Sequence, residues 1–344
     1  MSAGSRLRLL SPLAVDAALP DGIDGAMVLG ELRFGEQCVV EASFPCLRVR
    51  VPTLAPAKPW RALWLSDRVL DEGRHGRVHY RHDGELMFGV VSIDEAECVG
   101  EVSASALQQA AELAYREVFA ALEHVGFPHL LRVWNYMPRI NEIEHGVERY
   151  RSFNIGRQDA FAACGRASIG PVPAASALGV REGALEVGFF AGRQPLVAVE
   201  NPRQVSAYHY PEDYGPRSPT FSRAAVSRCA AQELLFISGT ASIVGHQTLH
   251  PGDVAAQMRE TLMNVDAVLA EAARIAPSLG TARAGLAWLG YVRDPVDLPT
   301  VRAQMSCAMG DEAQVCYVQA DVCRADLLVE VEASGGHPVQ GGKA

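Results

Sequence analysis

Two long segments of the chain place apolar side chains at every third or fourth residue. The first segment carries Leu107, Ala111, Ala114, Val118 and Leu122, and the second carries Val254, Met258, Leu262, Val265, Leu269 and Ala272. This spacing puts the apolar side chains of each segment on one face of a helix. Ser103 or Ser105 is a candidate cap for the first helix, and Gly126–Pro128 ends it. We therefore predict one long amphipathic helix in each half of the chain.

Shorter apolar runs around these helices predict strands and two more helices. Strands are expected at Gln37–Val40, Cys46–Val51, Leu86–Ile93, Leu130–Tyr136, Leu234–Val244, Ala284–Val292, Val315–Val322 and Leu327–Val331. The added helices are Tyr150–Ala163 and Leu298–Met309. Both halves then share the order strand, long helix, strand, helix. This order predicts an α+β fold of two related units, each a mixed sheet with helices packed on one face.

The boundary between the units is expected in Gly165–Gly183, which is rich in Gly, Pro, Ala and Ser. We therefore assign residues 1–165 to an N-terminal domain and residues 166–335 to a C-terminal domain. Residues 336–344 are Gly-rich and are expected to form a disordered tail.

Composition narrows the class of protein. The chain has 344 residues, 49% of them hydrophobic, and a formal net charge of −9. An acidic globular chain argues against nucleic-acid or anionic-membrane partners. No apolar run approaches the ~18 residues of a membrane span, and the N-terminus does not fit a secretory signal. We expect a cytoplasmic protein.

Several kinds of catalytic centre have no candidate in the sequence. Lysine occurs only at Lys58 and Lys343, and the eight cysteines form no C-x-x-C pair. No nucleophile elbow, H-E-x-x-H motif, Walker A loop or G-x-G-x-x-G loop is present. His75, His79 and His82 are close in sequence, but clustered histidines on a polar loop are usually unliganded. No metal site is predicted.

Two stretches concentrate polar side chains that folding does not require. On the helix that begins at Tyr150, steps of four and three residues put Tyr150, Asn154 and Arg157 on one face, which could bind a carboxylate. The alternative is a surface helix laced with ion pairs. Asn201–Ala225 holds tyrosines, arginines and prolines without periodicity. It could form the wall of a site for an anionic ring compound, or simply a connection pinned by prolines.

The end of the chain carries a pair of glutamates. Period-two alternation places Glu330 and Glu332 on one face of a strand, opposite Val329 and Val331. On a solvent face both would be ordinary exposed charges. In a cleft, a desolvated glutamate would keep its proton near neutral pH and could act as a general acid.

These stretches together resemble the chorismatase family. The motifs are N-Y-M-P-R-I-N with R-Y-R-S-F-N-I-G-R, then N-P-R-Q-V-S-A-Y-H-Y-P-E-D-Y-G-P-R-S-P-T-F-S-R-A, L-F-I-S-G-T-A-S-I-V-G-H-Q-T-L-H-P-G-D-V and the closing V-E-V-E. The resemblance covers roughly residues 85 to 333, and the C-terminal half also resembles the wider YjgF-like superfamily. It implies a fold like chorismate mutase with a divergent second copy in the N-terminal half.

The resemblance also implies an activity, the cleavage of chorismate with release of pyruvate and a ring acid. Glu330 would then be the proton donor, or a proton relay, for the enol ether of the substrate. The implied contacts for the two substrate carboxylates are Tyr150, Arg157, Tyr210 and Arg223, with Tyr214 and Arg217 as further candidates. No metal or organic cofactor is implied.

Two small residues bear on the product. In the family, 3-hydroxybenzoate formation goes with a Cys seven positions before the catalytic Glu and with a Gly in the S-G-T segment. Cys323 and Gly239 match that pattern, and some members of this group also release 4-hydroxybenzoate. The alternative product is a dihydroxycyclohexadiene carboxylate, formed by hydrolysis in members with Ala-type residues.

Two rival functions come from the wider superfamily. Enamine deaminases carry an Arg fifteen residues before the Glu, and Val315 at that position here removes their carboxylate anchor. A non-catalytic ligand-binding module is the second rival, and it would need no acidic catalyst. Whether the chain is a monomer or a trimer-like assembly stays open.

Overall fold

The computed structural model describes residues 7–36, 43–98, 104–229, 232–310 and 315–341. Its α-helices are α1 Ala106–Val125, α2 Arg149–Ala163, α3 Val254–Ile275 and α4 Leu298–Met309. All four predicted helices are thus confirmed. The strand predicted at Gln37–Val40 and the alternative cap Ser103 lie outside the described residues. None of the described helices combines the length and the apolar character needed to cross a membrane.

Caps at the helix ends explain where the long helices begin and end. The Ser105 hydroxyl accepts a hydrogen bond from the Gln108 backbone N–H, and the Asp253 carboxylate accepts one from Ala256. Gly126 ends α1 with a left-handed φ of 79°, a conformation that glycine adopts without strain.

Two seven-stranded sheets form the bulk of the molecule. The N-sheet runs in the order Asp321–Val322, Ala174–Val180, His129–Pro138, Leu185–Gly192, Leu86–Ile93, Val78–His82 and Asp71–His75. The C-sheet runs in the order Val197–Val199, Ala224–Cys229, Gln232–Thr240, Val329–Gly335, Ala287–Val292, Val315–Gln319 and Thr53–Ala55. Helices α1 and α2 pack on one face of the N-sheet, and α3 and α4 on one face of the C-sheet. The predicted α+β architecture is confirmed.

A third sheet was not predicted. This small sheet has five strands, in the order Val339–Gln340, Leu7–Ala14, Trp60–Ser66, Val28–Phe34 and Cys46–Val49. Short hairpins, Ile143–Glu144 with Val147–Glu148 and Ile243–Val244 with Gln247–Thr248, complete the strands. The faces of the large sheets that carry no helix turn toward the small sheet and share one core with it.

One aromatic ring from each sheet marks the centre of that shared core. Trp64 of the small sheet lies 5.1 Å from Phe190 of the N-sheet and 6.4 Å from Phe236 of the C-sheet, between ring centroids. Phe190 and Phe236 are 5.5 Å apart. Such ring pairs stabilise a core beyond the area they bury. The three sheets therefore form a three-sided core with helices outside two of its sides.

Two details of chain organisation differ from the sequence prediction. Strands Ala174–Val180 and Leu185–Gly192 belong to the N-sheet, so a boundary at residue 165 would cut through that sheet. The disorder expected after Gly335 is wrong for Val339–Gln340, which pair in parallel with Leu9 and Leu10. The edge of the small sheet gives this C-terminal segment a strand to pair with. The Gly-rich composition of residues 336–344 does not predict that pairing.

The two large sheets carry the same Glu–Tyr cross-strand pair in equivalent strands. Glu330 stands opposite Tyr291 in the C-sheet, and Glu186 stands opposite Tyr136 in the N-sheet. The hydroxyl oxygens of the two tyrosines are 2.7 Å apart in a hydrogen bond. Equivalent pairs in equivalent strands agree with the duplication inferred from the order of elements.

Close contact between α1 and α2 gives a stability prediction. A Cβ at Gly156 in α2 would lie 1.9 Å from the backbone oxygen of Gln108 in α1. We expect Gly156→Ala to lower the free energy of unfolding by about 1–3 kcal/mol, because the helices must separate. Urea unfolding measures the change.

The matched control is Gly25→Ala, where an added Cβ meets no atom within 4 Å. This variant should unfold close to wild type. Equal stability of both variants and wild type would contradict the proposed packing constraint.

Candidate active site

A cavity of about 240 Å³ opens between the N-terminal and C-terminal halves. Its walls come from the start of α2, the 204–223 connection, the end of strand Gln232–Thr240, residues 323–325 and strand Val329–Gly335. The predicted site residues on these walls are Tyr150, Tyr210, Tyr214, Arg223, Gly239, Cys323 and Glu330. A concave site that gathers a few polar groups from both halves suits a small ligand better than a polymer.

Glu330 is a buried carboxyl group that no described residue hydrogen-bonds. Its exposure is 4%, and its Oε1 has no partner among the described residues. The pKa of Glu330 is raised to about 8, first by burial and then by the nearby charge of Glu332, while Arg132 opposes the shift. The side chain therefore carries a proton at neutral pH, and the interpretation of this face as a solvent-exposed one is wrong.

Glu332, two residues along the same face, has the opposite environment. Its carboxylate accepts hydrogen bonds from Arg132 at 2.7 Å, Trp134 at 2.7 Å, Tyr291 at 3.0 Å and Ser176 at 2.6 Å. These four donors satisfy both oxygens of the Glu332 carboxyl group. Glu332 is thus supplied with donors, whereas the Glu330 carboxyl group has none among the described residues.

Gly239 makes room for the Glu330 side chain. A Cβ at this position would lie 2.0 Å from Glu330 Oε1. The Gly239 backbone N–H donates to Ser176 Oγ at 3.0 Å, and Ser176 in turn donates to Glu332. The absence of a side chain at Gly239 therefore fixes where the acid can sit.

Cys323 lies on the same cavity wall as Glu330. Burial raises the pKa of the Cys323 thiol to about 12, and the carboxyl group of Glu330 contributes to the shift. At neutral pH the side chain is a neutral thiol and not a thiolate, so it is not an activated nucleophile. It contributes shape and a weak donor close to the acid.

Arg223 supplies positive charge to the cavity. Its guanidinium donates to the Tyr210 hydroxyl and to the Val205 carbonyl, both at 2.8 Å, and its Nε has no partner among the described residues. No carboxylate of the described residues lies within 4.0 Å of it. A 5%-exposed guanidinium in this state can bind an anionic ligand.

Arg324 is a cavity residue that sequence reasoning missed. Its guanidinium lies 4.2 Å from the ring centroid of Tyr214 and 5.3 Å from that of Tyr210. It also donates to the His246 carbonyl at 2.8 Å. The stacking holds a second positive charge at the wall. The sequence feature that could have predicted its role is its place directly after Cys323, in the turn before strand Val329–Gly335.

Arg157 and Arg217 do not line this cavity. Arg157 is 2% exposed, donates to Asn154 at 2.8 Å and lies over the Phe153 ring. It is buried beside Tyr150, whose pKa burial raises and Arg157 lowers. The shared helix face is therefore buried, not a surface face. Arg217 is exposed and lies 3.9 Å from Asp159, so the structure places it away from the cavity wall.

The clustered histidines lie in the hairpin of strands Asp71–His75 and Val78–His82, which does not line the active-site cavity. His79 contacts Glu72 at 2.8 Å, and the His75 ring stacks on His124. Within the described ranges, no three His, Cys, Asp or Glu side chains converge as metal ligands would.

The geometry defines a class of site, a buried acid next to arginines and tyrosines that suit an anionic substrate. Residues 62–191 match the family model described as "Chorismatase FkbO/Hyg5-like, N-terminal". The chain is 36% identical to a 3-hydroxybenzoate synthase of Streptomyces hygroscopicus, over 90% of this chain and 91% of that protein. It is 37% identical to a chorismatase of Streptomyces rapamycinicus, over 78% and 80%.

The fold agrees with these sequence matches. A crystal structure of a chorismatase superposes with a TM-score of 0.82 at 31% identity, covering 96% of this chain and 99% of that one. The chain belongs to the chorismatase family.

The protonated state of Glu330 has a measurable effect on stability. Because its pKa is about 8 in the folded state against 4.5 as the ordinary value, the folded protein loses stability as pH rises between them. Glu330→Gln removes this loss. The gain in unfolding free energy over wild type should grow from pH 5 to pH 8 by up to about 1.4 kcal/mol per pH unit.

Urea unfolding at three pH values in this range measures the trend. Glu332→Gln is the control: it leaves the buried Arg132 without its carboxylate and should destabilise the protein throughout, by about 3 kcal/mol or more. A pH-independent effect of Glu330→Gln would show that Glu330 ionises normally.

Proposed function

We propose that this chain cleaves chorismate to pyruvate and 3-hydroxybenzoate. The observation that carries the proposal is the buried carboxyl group of Glu330, which has no hydrogen-bond partner among the described residues and lies at a cavity that also holds Arg223 and Arg324. Burial raises its pKa to about 8. The relatives named 3-hydroxybenzoate synthase and chorismatase support the choice of substrate.

Glu330 fits the first chemical step. The side chain of chorismate is an enol ether, whose methylene carbon accepts a proton to give an oxocarbenium-like cation. A carboxyl group that is neutral at pH 7 can donate that proton, and the resulting carboxylate stabilises the adjacent positive charge. Glu332 cannot take this role, since its oxygens are occupied by four donors.

The arginines and tyrosines fit the binding step. Chorismate carries two carboxylates, and a guanidinium binds a carboxylate through charge-assisted hydrogen bonds. Arg223 and Arg324 lie on the wall with Tyr150, Tyr210 and Tyr214. Holding both carboxylates fixes the enol ether relative to the acid. Arg157 lies behind Tyr150, and we assign it the positioning of that hydroxyl and the field around it.

The proposed overall reaction balances without water. The methylene gains the Glu330 proton, and the bond between the ring carbon and the ether oxygen breaks, so that this oxygen leaves as the keto oxygen of pyruvate. The oxygen of the adjacent ring hydroxyl moves from its own carbon to the carbon that bore the ether and becomes the 3-hydroxyl. The ring then loses one proton as it becomes aromatic, and the Glu330 carboxylate formed on donation takes it up. Hydrolysis to a dihydroxycyclohexadiene carboxylate would instead consume one water. Cys323 and Gly239, which border Glu330, support the aromatic product, because they match the pattern of the 3-hydroxybenzoate group.

The compartment is part of this proposal. The eight cysteines form no C-x-x-C pair, and the composition is that of an acidic globular protein. Both features support a cytoplasmic enzyme.

The decisive experiment incubates the purified protein with chorismate and follows pyruvate release. We expect release well above the uncatalysed background and a kcat/KM that falls as pH rises through about 8, because Glu330 then loses its proton. Glu330→Gln should lower kcat by roughly 10²-fold or more. Background-level pyruvate from the wild type would refute the proposal.

The matched control is Glu186→Gln, which makes the same substitution at the equivalent position of the N-sheet. Glu186 stands opposite Tyr136 in the N-sheet and does not line the cavity that holds Glu330. Turnover should therefore stay near wild type. A comparable loss in both variants would mean that charge removal alone, and not the acid at Glu330, accounts for the effect.

Product choice is tested separately. Cys323→Ala should shift the product from 3-hydroxybenzoate toward the dihydroxycyclohexadiene carboxylate, because a smaller side chain beside the acid admits water to the cation. Chromatography of the ring product measures the ratio. Cys164→Ala, at the end of α2, is the control and should leave the ratio unchanged. An unaltered ratio in Cys323→Ala would contradict the assignment to Cys323.

A further inference from the structure

A second cavity, of about 510 Å³, lies where the three sheets meet. The small-sheet side contributes Arg50, and the N-sheet side contributes Arg139 and Arg181. The C-sheet side contributes Arg293. Arg139, Arg181 and Arg293 directly follow strands His129–Pro138, Ala174–Val180 and Ala287–Val292. All three sides of the core therefore bring positive charge to one place.

The acidic side chains of this cavity are already engaged. Asp321 pairs with Arg293 at 2.5 Å, and Glu142 pairs with Arg139 at 3.3 Å. Arg293 also donates to the carbonyls of Leu327 and Arg324, both at 2.8 Å, which makes it a structural residue. The acidic side chains that line this cavity therefore do not neutralise the positive charges of Arg50 and Arg181.

Arg50 and Arg181 are exposed, and no described carboxylate lies within 4.0 Å of either. Glu186 interacts electrostatically with Arg50, but burial raises the pKa of Glu186 to about 7, so it is only partly ionised near neutrality. The cavity is thus positive in a chain whose net charge is −9. Clustered like charges repel one another, and a bound anion would relieve that repulsion.

This cavity is separate from the active site but shares a wall with it. Ala325 lines both cavities. Asn141 braces the shared wall, because its amide nitrogen donates to the Val322 carbonyl and its amide oxygen accepts from Arg293, both at 3.1 Å. The arginines of the second cavity are not those that line the first.

We propose that this cavity is a binding site for a small oxyanion, held by Arg50 and Arg181 where the three sheets converge. Guanidinium forks bind carboxylates and phosphates through the same paired hydrogen bonds, so both sources of the oxyanion are tested. The proposal does not depend on the reaction at Glu330.

The test is calorimetric titration of the full chain with malonate and, separately, with inorganic phosphate. We expect saturable binding of at least one of them, and the tighter ligand shows whether the site favours a carboxylate or a phosphate. The double variant Arg50→Gln/Arg181→Gln should bind about tenfold more weakly or worse, as expected when charge-assisted hydrogen bonds are lost.

Two controls separate this site from other sources of anion binding. Arg259→Gln/Arg302→Gln removes the same charge from exposed arginines elsewhere and should retain wild-type affinity. Arg223→Gln removes an active-site arginine and should also retain it. Equal weakening in the two double variants would reveal general charge attraction, and loss in Arg223→Gln alone would place the anion in the active site. Either result, or no binding at all, would overturn the proposal.

Discussion

The ion pair between Arg132 and Glu332 joins the two halves of the molecule at the point where the chemistry is proposed to occur. Arg132 belongs to the N-sheet and Glu332 to the C-sheet, and both are nearly inaccessible to water. A buried pair is tolerated only when further hydrogen bonds compensate for lost hydration. Ser176, Trp134 and Tyr291 supply them. Burial, and after it the charge of the neighbouring Glu332, raises the pKa of Glu330.

The small sheet makes this arrangement possible by closing the third side of the core. Without it, the inner faces of the two large sheets would expose Phe190 and Phe236, which instead pack against Trp64. Strand exchange strengthens the closure: Thr53–Ala55 joins the C-sheet, and Asp321–Val322 joins the N-sheet. The active-site cavity and the arginine-lined cavity lie at seams between sheets, where connections converge, and not in the packed centre.

The sequence predicted those features whose signal is local. Helices α1 and α3 have regular apolar faces and caps, and the alternation at Glu330 and Glu332 correctly put both on one face. Of the small sheet, only the strand at Cys46–Val51 was predicted. Val28–Phe34 and Trp60–Ser66 left no such signal, because they are buried at every position and so show no alternation. The pairing of Leu9 with Val339 joins opposite ends of the chain.

The same limit applies to the site residues. Arg217 and Arg223 belong to one arginine-rich stretch, yet only Arg223, which immediately precedes a C-sheet strand, reaches the cavity. Density of polar residues selected the right segment but could not decide which side chains turn inward. Arg324 was not predicted, because a single arginine in a turn is usually a solvated charge. In the structure its guanidinium packs on the rings of Tyr210 and Tyr214.

The matching registers of Glu186 with Tyr136 and Glu330 with Tyr291 have a consequence for how the duplicated halves diverged. Beside Glu186, an added Cβ at Gly188 would lie 2.7 Å from Leu47, so a strand of the small sheet lies against that part of the N-sheet. Beside Glu330 lies instead the cavity of about 240 Å³. The N-terminal half thus fills with its own chain a place where the C-terminal half keeps a cavity.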